Sequence, residues 1–160
     1  MYPYIVLLHV VGAFTFALAH GVSVAVSLRL RGVQSREQVA GLLELSQMAV
    51  GGLYIGLLLL LIGGVWAGFA GDHWDRGWIW AALGILVAII VAMYAIATPY
   101  YARMRVAAGV MTDPKAAEKF GNPGPEELKR MAQSSRPVWL ALIGGIGLLV
   151  ILWLMVVKPF

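Results

Sequence analysis

Four long apolar runs, roughly 4–28, 48–71, 78–102 and 138–157, alternate with shorter polar stretches along the 160-residue chain. Each is long enough for a helix to cross the hydrocarbon of a bilayer, which takes ~20 residues. None alternates with the period of a barrel strand, and lipid tolerates no unpaired backbone. The pattern therefore predicts an all-α fold: a polytopic membrane protein, a four-transmembrane-helix bundle forming one membrane domain over residues 1–160. The hydrophilic block left over, about 103–136, is too short for a soluble domain with a substantial core of its own.

The first run collects its polar residues on one side. His9 and His20 stand eleven residues apart. At ~100° per residue that leaves them within ~20° of each other and ~16 Å apart along the axis. Gly12, Ala13, Ser23 and Ser27 share their face, with Phe16 its one bulky member. Leu7, Val11, Phe14, Leu18 and Val22 form the opposite face. The first face is expected to meet protein or a ligand, and the second to meet lipid.

Punctuation along the chain places the other elements. Arg29-Leu30-Arg31-Gly32 ends the first helix, and Ser35-Arg36-Glu37-Gln38 is a capping box for the second. Unbroken to Ala70, the second helix would be ~54 Å long. Its first three turns, with Glu37 and Glu44, are expected to project past the membrane, leaving Gln47 near the boundary. Gly52, Gly56, Gly63 and Ala67 fall on one stripe, and Gly64 and Gly68 on another. Such stripes predict a close helix seam, within the chain or, as the alternative, between two copies. Ala81, Gly84, Ala88, Ala92 and Ala95 predict a similar seam on the third helix. Pro99 predicts a kink there or a helix end. In the hydrophilic block, Asp113-Pro114 and Pro125-Glu126-Glu127 are helix starts, divided by the break Gly121-Asn122-Pro123-Gly124. Two short amphipathic helices lying on the cytoplasmic membrane face are expected, their lysines available to anionic headgroups. The fourth span, from Pro137 with Gly144, Gly145 and Gly147, has the character of a structural helix.

Composition agrees with this class: 61% of residues are apolar and 12% charged, proportions foreign to soluble domains. The distribution of charge adds a direction. Arg29, Arg31, Arg36, Arg103, Arg105, Lys115, Lys119, Lys129, Arg130 and Arg136 flank one side of the spans, and Arg76 and Lys158 the other. The positive-inside rule then puts loops one and three in the cytoplasm and both termini outside, N-out and C-out, in a bacterial inner membrane. The basic excess is accordingly topological, and no nucleic acid partner is expected. No basic segment precedes the first apolar run, which is too long for a signal sequence, so the first helix is expected to be retained. The chain has no cysteine, which excludes disulfides, thiolate metal sites, iron–sulfur clusters and covalently attached c-type haem. It carries no HExxH, GxSxG, dinucleotide or P-loop signature, and no carboxylate inside a span. No catalytic residue is named by the sequence, and a carboxylate proton relay is not expected.

What remains is imidazole in hydrocarbon, a functional candidate by default. His9 and His20 are candidate ligands for haem b, or for copper or another metal ion. The other spans contain no histidine. A second axial ligand would come from Met93 or Met48, from His73 folding in at the outer end, or from the same histidines of a two-fold homodimer. Tyr94, beside Met93, is a further candidate, against a plainer role as an interface anchor. His73, between Asp72 and Asp75, is a minor cation candidate in a loop ringed by the aromatic belt of Trp66, Trp74, Trp78 and Trp80. The structural alternative for His9 and His20 is a neutral ring bonded to a neighbouring helix.

The run LHVVGA…HGVSVAVSLRLR, followed by three more spans, resembles uncharacterised bacterial integral membrane proteins loosely related to CopD-type copper-resistance proteins. In size and layout the chain is also similar to the short membrane protoporphyrinogen oxidases, four-helix proteins with a histidine early in helix one. The resemblance implies copper or porphyrin handling at His9. Where those families carry a tryptophan and paired glycines after the histidine, this chain has Phe14, Thr15 and Phe16. The leading expectation is a small inner-membrane b-type haem-binding redox or haem-handling protein in the lipid bilayer. The alternatives are a non-catalytic subunit or scaffold of a larger membrane complex, and a small-solute or metal-ion transporter working as an oligomer.

Overall fold

A computed structural model describes residues 1–33 and 35–160. Its helices are α1 (Tyr2–Leu30), α2 (Arg36–Ala70), α3 (Gly77–Ala92), a π-helical turn (Met93–Ala97), α4 (Thr98–Ala108), α5 (Pro114–Phe120), α6 (Pro125–Ala132) and α7 (Arg136–Val157). No strand occurs among the described residues. Four helical stretches are long and apolar enough to cross a membrane: Tyr2–Leu30, Arg36–Ala70, Gly77–Ala108 and Pro125–Val157.

The helices pack as two pairs, α1 with α2 and α3 with α7, joined through α1–α7 and α2–α4 contacts. Both termini lie at one end. Trp78 N–H donates to the Phe160 carbonyl at 3.3 Å, and the Tyr2 hydroxyl stands 3.4 Å from His73 Nε2. The alternation of the spans puts the ten flanking basic residues at the opposite, basic end.

The α1–α2 pair is a backbone-on-backbone contact. A Cβ added to Gly63 would lie 2.6 Å from His9 N, and one on Gly12 or Gly56 would run into the backbone of Leu60 or Phe16. Gly52 continues the line, 3.5 Å from the Ala19 Cβ. The glycine stripe of α2 thus faces α1 within the chain. Opposite it, Leu7, Phe14 and Leu18 are 57–71% exposed, a lipid-facing row where the sequence pattern placed one.

The stripe expected on the third helix does not form a seam. Gly84, Ala88 and Ala95 are exposed, and nothing approaches Gly84 within 4 Å. Helix α3 presents bulk to α7 instead, burying Trp78, Ile79, Ala82 and Leu86, while Ile89 fills the place where Gly147 lacks a side chain. Small residues permit close approach, but the glycine on the partner already supplies the hollow, and α3 supplies the knob.

At Pro99 the helix neither stops nor departs from the bundle. The π turn absorbs the missing backbone donor, with Thr98 N–H reaching back five residues to the Met93 carbonyl. The chain then continues helical to Ala108 and closes on Gly109 at φ +80°. Both short helices start where the sequence signals them, Asp113 Oδ1 capping the Lys115 N–H at 3.0 Å. Ser35 Oγ caps Gln38 N–H at 3.2 Å.

The second short helix turns its apolar side to protein. Leu128, Met131 and Ala132 of α6 are buried with Val26, Leu30, Val39, Leu43 and Met104 in a core at the basic end, and the Tyr100 hydroxyl donates to the Met131 carbonyl. An apolar side on eight residues found protein rather than lipid. The first turns of α2, with Val39 and Leu43, extend into this same core.

Introducing Leu at Gly56 should force the α1–α2 backbones apart and cost about 1–3 kcal/mol or more. Leu at Gly84 should cost nothing measurable. Thermal unfolding of the two variants in the same detergent checks this ordering.

Candidate functional site

His9 and His20 share a face of α1, yet they meet different helices. His9 Nδ1–H donates to the Leu60 carbonyl of α2 at 2.8 Å. The ring has space because α2 is bare there: a Cβ on Gly64 would stand 2.9 Å from Nδ1. A carbonyl can only accept, so the proton sits on Nδ1 and the lone pair on Nε2.

His20 lies about a third of the way from the other end of α1, stacked parallel to Phe16 at 6.4 Å between ring centroids. Its Nε2 is buried with no hydrogen-bond partner among the described residues. That nitrogen faces the α7 backbone, where a Cβ on Gly144 would come within 2.8 Å of it and 3.3 Å of Met93 Cε. Three elements therefore converge on His20: α1, α7 and the π turn. An unpaired buried nitrogen is costly in an apolar setting; Arg105 Nε, near the basic end, is the other such atom inside the spanning stretches among the described residues.

The other candidates separate. Met93 is brought to His20, but Tyr94 beside it is 74% exposed. Met48 is likewise exposed. His73 does not fold in towards His9. It packs on Gly71, Tyr2 and Trp78 at the terminal end, and Tyr2 is ~10 Å, two turns, short of His9 along α1. No group of three or more His, Cys, Asp or Glu capable of holding a metal ion occurs among the described residues.

Two features were not foreseen from sequence. Ser27, the last polar residue of the α1 face, donates to the Ser23 carbonyl at 2.7 Å and so accepts from the Tyr101 hydroxyl at 2.6 Å, tying α1 to α4. The second is a cavity at the basic end, between the π turn, α4, α6 and the start of α7. Its only sequence trace is the recurrence of arginine at 103, 130 and 136.

Spanning helices joined by short loops, with a lipid-facing row and a bare-backbone seam, define a polytopic helical membrane protein. The family described as "Predicted integral membrane protein (DUF2269)" matches residues 3–159, and the chain belongs to that family. No curated protein and no solved structure matches. The family's description concerns membrane integration, and it shows no tie to CopD-type proteins or to porphyrin oxidases.

In imidazole ¹⁵N spectra of the protein in lipid nanodiscs, His9 should be the Nδ1-protonated tautomer with a free lone pair at Nε2. An Nε2–H tautomer would mean that the Leu60 bond is not made.

Proposed function

We propose that the protein is a small b-type haem-binding protein of the bacterial inner membrane, with His9 as the ligating imidazole. One observation carries this: the bond from His9 Nδ1–H to the Leu60 carbonyl. Ligating histidines characteristically donate their second ring nitrogen in this way, which holds the ring and raises the basicity of the nitrogen left for iron. His9 fits that requirement in its donor chemistry. His20 fits it less well as placed, because its Nε2 is closed off by Gly144 and Met93; a porphyrin there would have to displace α7. Bound haem would supply a one-electron Fe(III)/Fe(II) couple. The chain's own part is to orient the His9 ring through Leu60, to leave the Nε2 lone pair for the iron, and to hold the site within a spanning stretch.

A second reading is favoured by the same glycines. His9 sits on Gly63 and Gly64, and His20 on Gly144, as rings that merely fill helix seams would. The protein would then be a non-catalytic membrane subunit whose partner binds elsewhere.

Haem titration of the detergent-purified protein separates the two. Haem binding predicts a Soret band and sharp reduced α-band, lost in His9→Ala and retained in His20→Ala. A preparation that takes up no haem, or one whose spectrum survives His9→Ala, rejects the haem proposal and leaves the seam-filling role.

A further inference from the structure

A cavity of about 860 Å³ opens at the basic end of the molecule, far along the bundle from His9. Its lining has two zones. Arg103, Arg130 and Arg136 stand on the polar side with a single carboxylate, Glu127, while Ile96 and Pro99 from the spanning stretch line the apolar side. Glu127 is engaged by Arg103 at 2.6 Å and lies 4.0 Å from Arg130. Arg136 has no carboxylate within ion-pair distance among the described residues, so the polar zone keeps a surplus of positive charge. Arg130 is 81% exposed and Ile96 50%, so both zones remain open to a ligand.

The order of the zones follows the long axis of the bundle. Ile96 lies in the π turn and Pro99 one turn on, inside the apolar stretch Gly77–Ala108; Arg103 follows near the end of that stretch, and Arg130 and Arg136 stand at the start of Pro125–Val157, at the end richest in positive charge. Guanidinium groups pair with phosphate oxygens in a planar, two-pronged geometry that an ammonium cannot match. A soluble anion would use the arginines and gain nothing from Ile96 and Pro99. A molecule with a phosphate head and an acyl chain uses both zones at once.

We infer that this groove binds an anionic phospholipid, its phosphodiester headgroup among Arg103, Arg130 and Arg136 and the start of an acyl chain along Ile96 and Pro99. The site stands apart from the haem proposal and does not depend on it. Glu127 acts as a spacer that fixes Arg103 against α6 and leaves the outer arginines to the ligand. Helix α6, docked on α4 through Tyr100, forms the wall that turns an exposed basic surface into a groove.

The test uses the full chain in neutral detergent, titrated with short-chain phosphatidylglycerol or with phosphatidylcholine of the same acyl length, read by native mass spectrometry and by thermal shift. Phosphatidylglycerol should be retained and should raise the unfolding temperature; phosphatidylcholine should do neither. Removing two positive charges with Arg130→Ala and Arg136→Ala together should weaken retention about thirtyfold. Lys115→Ala with Lys119→Ala, at the same end but outside the lining, should leave it unchanged. Equal loss in the lysine pair would overturn the groove in favour of diffuse surface charge. Equal binding of the two lipids, or displacement by inorganic phosphate as effective as by diacyl lipid, would overturn the phospholipid assignment. Both of those comparisons use the unsubstituted protein, so they decide the matter even if the arginine pair does not fold.

Discussion

The close contact between the backbones of α1 and α2 underlies every other feature of the molecule. Hydrocarbon gives helices no hydrophobic reason to associate, because lipid tails are as apolar as leucine; packing and hydrogen bonds must hold them. Bare glycines at 12, 56 and 63 let the two longest helices touch along their axes, where dispersion contacts are densest. The same approach brings the Leu60 carbonyl within reach of His9. With α1 rotated to meet α2, its polar face has only one direction left for His20, into the space before α7. The orientation of both imidazoles is thus a consequence of where the glycines lie.

The two ends of the bundle are held by different physics from the middle. At the basic end, Leu30, Leu43 and Met104 are fully buried in a core shared by α1, α2, α4 and α6, of the kind that excludes water. At the terminal end, Trp78, Ile79, Ala82 and Leu154 form a second cluster beside the interfacial tryptophans. Between them many large side chains point outward and glycines line the α1–α2 contact, with Phe16, Leu86 and Leu140 turned inward. Ser27 and Tyr101 fasten α1 to α4 where these regimes meet, through a bond of a type worth about 0.6 kcal/mol on average within membranes. The spans therefore contribute proximity, and the water-exposed ends contribute the burial that a soluble protein would place at its centre.

Much of this was legible in the chain. Length and hydropathy were enough for the four spans, and the phase of Leu7, Phe14 and Leu18 against Gly12, Phe16 and Ser27 was enough for the rotation of α1. The α2 glycines announced a seam for a sound reason, since their absent side chains are costly unless another backbone uses the space. The α3 stripe misled because periodicity marks a face as small without saying whether the partner is smaller still, and Gly147 opposite Ile89 is such a partner. For α6, an apolar side on two helical turns is the same pattern whether it meets lipid or protein; only the Tyr100–Met131 bond and the neighbouring core decide. The histidines share a face by arithmetic, but one face of one helix can abut two neighbours, and no spacing rule tells which. The basic cavity draws on residues from four elements, a convergence that no local pattern encodes.

The most direct test of the α1–α2 contact uses the absence of native cysteine. The Cβ built at Gly52 lies 3.5 Å from that of Ala19, at the near edge of the separation a disulfide requires. Ala19→Cys with Gly52→Cys, oxidised in lipid membranes, should give an intramolecular cross-link: a faster-migrating monomer under non-reducing conditions, with both thiols blocked to alkylation. Cross-linked dimers, or two thiols that stay free and fully alkylated, would place the glycine stripe against something other than α1, and the orientation of both histidines would fall with it.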